Sequence, residues 1–168
     1  ESNVHNAGMV IIAPYIQRLF SILELTKNNA FVDEDAAQRA VHLLQYVVTG
    51  ETSTPEYQLA LNKLLCGIHG GLPIVAGIDL SEHEKTVVEQ MLYGVISHWS
   101  ALGKTSIAGL RQTFLVREGQ LRYDEESWQL RIPTSTFDML LDRLPWSFSM
   151  IRLPWMRAPL HVKWRANS

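Results

Sequence analysis

The tetrapeptide Arg-Leu-Pro-Trp occurs twice near the C-terminus, at Arg143–Trp146 and again at Arg152–Trp155. No other feature limits the fold as much. Each proline fixes its own φ, lacks an N–H and pushes the preceding leucine towards extended geometry. The stretch Arg143–Trp164 therefore cannot be one continuous helix. Between the two copies, Ser147–Ile151 alternates small polar with large apolar residues, which suits a short strand with one buried face. The stretch also holds Trp146, Trp155 and Trp164, three of the chain's five tryptophans. Such a density of large rings means either a packed core edge or a docking surface. The plainer reading is core filler beneath an irregular C-terminal arm.

Composition narrows the class. At 168 residues, 46% hydrophobic and 19% charged, the chain has the size of one ordinary domain and enough apolar material for a core. A net charge of −2 gives no global attraction to nucleic acid or an anionic membrane. The single cysteine rules out an internal disulfide framework and fits a reducing cytosol. No apolar run approaches the length of a membrane span.

Read in order, the chain is mostly helical in period. Pro14 stands where a first-turn proline is tolerated, and Ile16, Leu19, Phe20 and Leu23 share one face. Asp33 is a good N-cap for a helix with Ala40, Val41, Leu44, Val47 and Val48 on one stripe, closed by Gly50. Thr54-Pro55-Glu56 opens another, with Tyr57, Leu61, Leu64 and Leu65 inward, followed by a Gly-rich loop over 68–77. Ser81 and Glu84 form a capping box for the longest helix, about 82–99. Thr105 or Ser106 caps a shorter one with Ile107, Leu110 and Phe114 inward. The period then changes. Leu121 and Tyr123 alternate with polar neighbours, as do Trp128, Leu130 and Ile132, around a polar turn, which predicts a β-hairpin. After Pro133, a last helix would carry Phe137, Leu140, Leu141 and Leu144. The expected fold is α+β and predominantly helical. It has about six helices, a small antiparallel β-hairpin and extended aromatic C-terminal strands in a single domain over 1–168. Leu44, Val48, Leu61, Leu65, Met91, Val95, Leu140 and Leu141 are its expected core.

Chemical motifs are incomplete. Gly103-Lys104-Thr105-Ser106 resembles the end of a phosphate-binding loop, but the first glycine of that pattern is replaced by His98 and a helix precedes it. Cys66 and His69 have Cys-x-x-His spacing with no second pair to complete a zinc site. His83-Glu84 begins like a metalloprotease helix, but Val87 stands where the second histidine belongs, and Glu84 is explained by the capping box. No catalytic, cofactor-binding or metal-binding residue is assigned. The four arginines Arg111, Arg117, Arg122 and Arg131 lie among acids and read as a mixed solvated face.

Several long stretches carry a resemblance. Leu140–Met156 (LLDRLPWSFSMIRLPWM), Leu43–Glu51 (LLQYVVTGE), Leu59–Gly67 (LALNKLLCG), His161–Trp164 (HVKW) and Asn6–Phe20 (NAGMVIIAPYIQRLF) resemble, in order, the C-terminal region of the tape-measure protein family of contractile injection systems. These are phage-tail-like particles that deliver effectors. The resemblance implies a structural and assembly module rather than an enzyme. In that family a long chain sets the length of the tail tube, and one end engages the baseplate or the spike hub. The chain does not begin with Met, and the resemblance implies a C-terminal fragment of a longer protein. It would be cytoplasmic during assembly and then part of the particle. Expected partners are tail-tube, spike-hub or baseplate proteins, with self-association a further option, and neither nucleic acid nor a membrane span is expected. Aromatic, Met and Arg residues are enriched in interfaces. The expected docking residues are therefore Trp146, Phe148, Met150, Trp155, Met156 and Trp164, with Arg143 and Arg152 at the rim. On this reading Trp155→Ala weakens assembly and leaves the domain folded. The alternative is a small enzyme or ligand-binding domain with a pocket near His69, His98 and Lys104. A chaperone-like domain that recruits tail components is compatible with the same surface.

Overall fold

The computed structural model describes residues 1–165. Its organising layer is a five-stranded mixed sheet. Strand β1 is Ser2–Val4, β4 is Gly119–Asp124, β5 is Ser127–Ile132, β6 is Met150–Ile151 and β7 is Leu160–Trp164. The spatial order is β1-β4-β5-β7-β6. Neighbours run antiparallel except β5 and β7, which are parallel with Leu130 opposite Val162 and Ile132 opposite Trp164. A separate two-stranded ribbon pairs β2 (Thr26–Lys27) with β3 (Ala30–Phe31). Asn28 and Asn29 turn its corner with positive φ, a conformation that asparagine tolerates better than most residues.

The α+β class therefore fits, but the expectation of a predominantly helical fold with a small hairpin is corrected. The hairpin β4–β5 exists, and it is the middle of a full sheet. The additional strands escape sequence reading for physical reasons. Strands β1 and β6 have three and two residues, too few to display a period. Strand β7 owes its place to a parallel partner 32 positions earlier, with Trp128 opposite Leu160. The predicted helix after Pro133 is instead a 3-10 helix, Asp138–Arg143, preceded by an exposed Phe137; within it Met139 is exposed and Asp138 is buried.

Five α-helices are described: α1 (Ala13–Ile22), α2 (Glu34–Thr49), α3 (Ala60–Leu65), α4 (Glu82–His98) and α5 (Ile107–Leu110). The capping signals act as expected. Asp33 Oδ1 accepts from the Ala36 amide at 2.7 Å, and Gly50 closes α2 at φ 81°. Ser81 and Glu84 form a complete capping box, satisfying two otherwise orphaned amides. Arg111 adds a clamp at the C-terminal end of α2, donating to the carbonyls of Tyr46 and Val47, both at 3.0 Å, where a cation also suits the helix dipole.

Beneath these helices, the 3-10 turn Ala7–Ile12 is buried at every residue. It touches α1, α2 and the π-helical turn Arg111–Leu115. Gly8 lies directly against the Phe114 carbonyl, so close that a side chain there would collide with backbone. Leu44, Val48, Leu61, Leu65, Val95 and Leu141 are buried as expected, and Met91 and Leu140 are partly buried. A polar knot lies inside this layer. Asn6 donates to Gln45 and Asn62, both at 2.7 Å, and Asn62 donates to the Val41 carbonyl at 3.0 Å. Buried amides need such partners, and these fix the chain's first turn to α2 and α3.

Candidate functional site

The doubled tetrapeptide is used twice in the same way. After each proline the indole folds back and donates to a main-chain carbonyl. Trp146 Nε1 donates to Ile11 O at 2.8 Å, where the buried 3-10 turn hands over to α1. Its ring meets Tyr15 edge-on at 5.4 Å. Trp155 Nε1 donates to Leu65 O at 2.7 Å, at the last residue of α3, where helix carbonyls lack an internal partner. The Trp155 ring lies 5.6 Å from Phe20 and 5.1 Å from Phe31. Its own carbonyl presses against Gly67, whose φ of 68° and missing Cβ permit the approach. The two motifs thus staple the C-terminal arm across the helical layer.

The third tryptophan joins a buried ion pair. Asp138, 1% exposed, accepts from Arg117 Nη1 and Nη2 at 2.8 Å each, from Trp164 Nε1 at 2.9 Å and from the Ser135 amide at 2.9 Å. Burial alone would raise the Asp138 carboxyl. The hydrogen bonds from Arg117, Trp164 and Ser135, with the Arg117 charge, outweigh it and hold the group below the ordinary aspartate range. The Arg117 guanidinium also lies over the Trp164 ring, 5.1 Å from its centre.

Of the eight residues expected to dock, five are thus engaged in internal packing. Trp164, Phe148 and Met156 are buried, and Trp146 and Trp155 are half-buried. Arg143, Met150 and Arg152 are exposed. Ring density alone does not separate core from surface. The alternating burial of Met150 and Ile151 is the signal that does.

The residues of the alternative pocket hold separate local contacts. His69 Nδ1 accepts from the Gly71 amide at 3.0 Å, and His98 Nδ1 is 2.7 Å from the Tyr15 hydroxyl. Lys104 follows Gly103 in the turn before α5, where Ser106 caps the Gly109 amide at 2.9 Å. Cys66 is fully enclosed, and burial pushes its thiol up, away from the thiolate form that reacts or binds metal. Among the described residues, no three His, Cys, Asp or Glu side chains stand together as a metal site would need, and no helix is long and apolar enough to cross a membrane.

What the sequence reading missed is the outward face of the sheet. Across the register, Asn3, Gln120, Arg131 and Lys163 form one row, and Arg122, Gln129, His161 and Met150 overlap in the next. Every one is exposed or half-buried. A groove of about 450 Å³ lies where β5, β7 and β6 meet, lined by Ser127, Gln129, Ser149, Met150, His161, Val162 and Lys163.

The arrangement defines an α+β domain whose tryptophan-rich arm is bound into its own packing and whose sheet leaves one polar face open. The family model described as contractile injection system tape measure protein matches residues 1–164, and the chain belongs to that family. None of the curated proteins and none of the solved structures compared matches the chain.

Proposed function

We propose that this domain is an assembly module of the contractile injection particle, forming the C-terminal region of a longer tape-measure chain and docking it to a spike-hub or baseplate component. It acts by binding, without turnover. The observation that carries the reading is the family match across 1–164, which takes in the whole folded unit, sheet and arm together. The stapled arm supports it physically. Rings held by hydrogen bonds to Ile11 and Leu65 give a rigid base, and pre-organised surfaces lose little entropy on binding. Contact then falls to what the arm exposes, Arg143, Met150 and Arg152, with Trp146, Phe148, Trp155, Met156 and Trp164 as the support beneath. Docking takes place in the cytoplasm during assembly, as the tube polymerises around the measured chain.

The test is co-expression of the tagged domain with the tube, spike-hub and baseplate proteins, each separately, followed by affinity capture. Retention of the spike hub or a baseplate protein, and its loss with Arg143→Glu/Arg152→Glu, is the expected result. Capture of none of the three classes by a domain that melts cooperatively would overturn the reading.

A further inference from the structure

The outward face of the sheet carries an electrostatic conflict. Arg131 and Lys163 stand directly opposite each other in the parallel β5–β7 register, where like charges repel across the short inter-strand gap. Both side chains are exposed, and among the described residues neither has an ion-pair partner. Two acids at the margins of this face are engaged elsewhere. Asp124 lies 3.8 Å from Arg122 at the hairpin tip, and Glu118 lies 3.1 Å from His5 at the β1 margin. The basic half of the face is therefore left without counter-charge in a chain whose net charge is −2.

Wholly parallel sheets are ordinarily covered on both faces, whereas this mixed sheet leaves its one parallel pair half open. Here the inner face is sealed by Leu130, Ile132, Val162 and Trp164, while the outer face of the same pair presents Arg131, Gln129, Lys163 and His161 to solvent. Next to these cations lies the 450 Å³ groove, with Met150 on its wall at 54% exposure. Methionine is flexible and polarisable, and it adapts to apolar partners of varied shape. The face thus combines unmatched positive charge with one adaptable apolar anchor.

We propose that this open sheet face is a docking site for an acidic protein segment, whose carboxylates settle on Arg131 and Lys163 and whose apolar side chains enter the groove beside Met150. The inference rests on the docking reading only for placing that segment within the injection particle. Charge complementarity sets the chemistry of the occupant. Stability sets its mark, because a like-charged pair retained on an exposed sheet is a cost that binding removes.

Arg131→Glu is the discriminating variant, since it turns the repulsive pair with Lys163 into an attractive one. The probe is a fluorescein-labelled peptide alternating glutamate with valine, followed by fluorescence anisotropy at low salt. Its lysine–valine counterpart and a single-stranded oligothymidylate serve as comparisons. The wild-type domain binds the acidic peptide saturably, and salt weakens the binding. Arg131→Glu and Met150→Ser each weaken it by about tenfold or more, while Arg131→Glu raises the melting temperature by about 1–3 °C. Arg18→Glu, exposed on α1, leaves peptide affinity unchanged. Absence of saturable binding, equal affinity for the variant, or tighter binding of the oligothymidylate would each overturn the proposal. Peptide binding without capture of any particle protein would instead remove the assembly reading and leave this site standing.

Discussion

At the scale of single residues, Trp146, Trp155 and Trp164 each donate an indole N–H to a group distant in sequence, at Ile11, Leu65 and Asp138. Trp155 contributes both a ring packed on Phe20 and Phe31 and a hydrogen bond to Leu65. Trp155→Ala is therefore expected to lower unfolding free energy by about 3 kcal/mol. Trp155→Phe keeps much of the ring contact and strands the Leu65 carbonyl, for about 1–2 kcal/mol. Urea unfolding of the two variants separates ring from hydrogen bond. Asp138 gives a pH signature. Its depressed pKa means that its stabilisation is fully present above the unfolded aspartate range and is lost as pH falls through the lower folded value. Asp138→Asn should cost about 3 kcal/mol at neutral pH, because Arg117 is left nearly buried without its carboxylate. Thermal melts across pH should show the gap between variant and wild type narrowing in acid.

At the scale of elements, local chemistry was legible and long-range pairing was not. Helices α2 and α4 could be read almost to the residue because their caps lie within a turn of their first apolar positions. The hairpin was legible because five alternating positions flank Glu125 and Glu126, both at positive φ. The stretch before Cys66 shows the limit. A cap, a proline and an acid announce a helix at Glu56, yet a 3-10 turn intervenes and α3 begins only at Ala60. There Glu56 is drawn away to the Lys63 ammonium at 3.0 Å and the Ile74 amide at 2.9 Å, contacts that order the following loop. The exposed sheet face was illegible for a related reason, since Arg131 and Lys163 become neighbours only once β7 is placed beside β5. Capping energetics are testable in α4. Ser81→Ala loses one cap bond, for about 1 kcal/mol. Glu84→Ala also breaks the fork to Arg39 on α2, at 2.7 Å, and should cost about 2 kcal/mol. The difference between the two chemical-denaturation midpoints measures the tie between α2 and α4.

At the scale of the whole molecule, strand order decides the behaviour. Strand β7 lies inside the sheet, between β5 and β6, although it is the last strand described. Removing residues from Leu160 onward should abolish cooperative melting and expose the chain to limited proteolysis throughout, not only at its end, because Leu160, Val162 and Trp164 leave the core together. The two stapled tryptophans cannot compensate, since they fix the arm to the helices and leave β5 without its parallel neighbour. This placement also bears on folding during synthesis: a nascent polypeptide that has not yet reached Leu160 lacks the parallel partner of β5 and has no finished sheet to close.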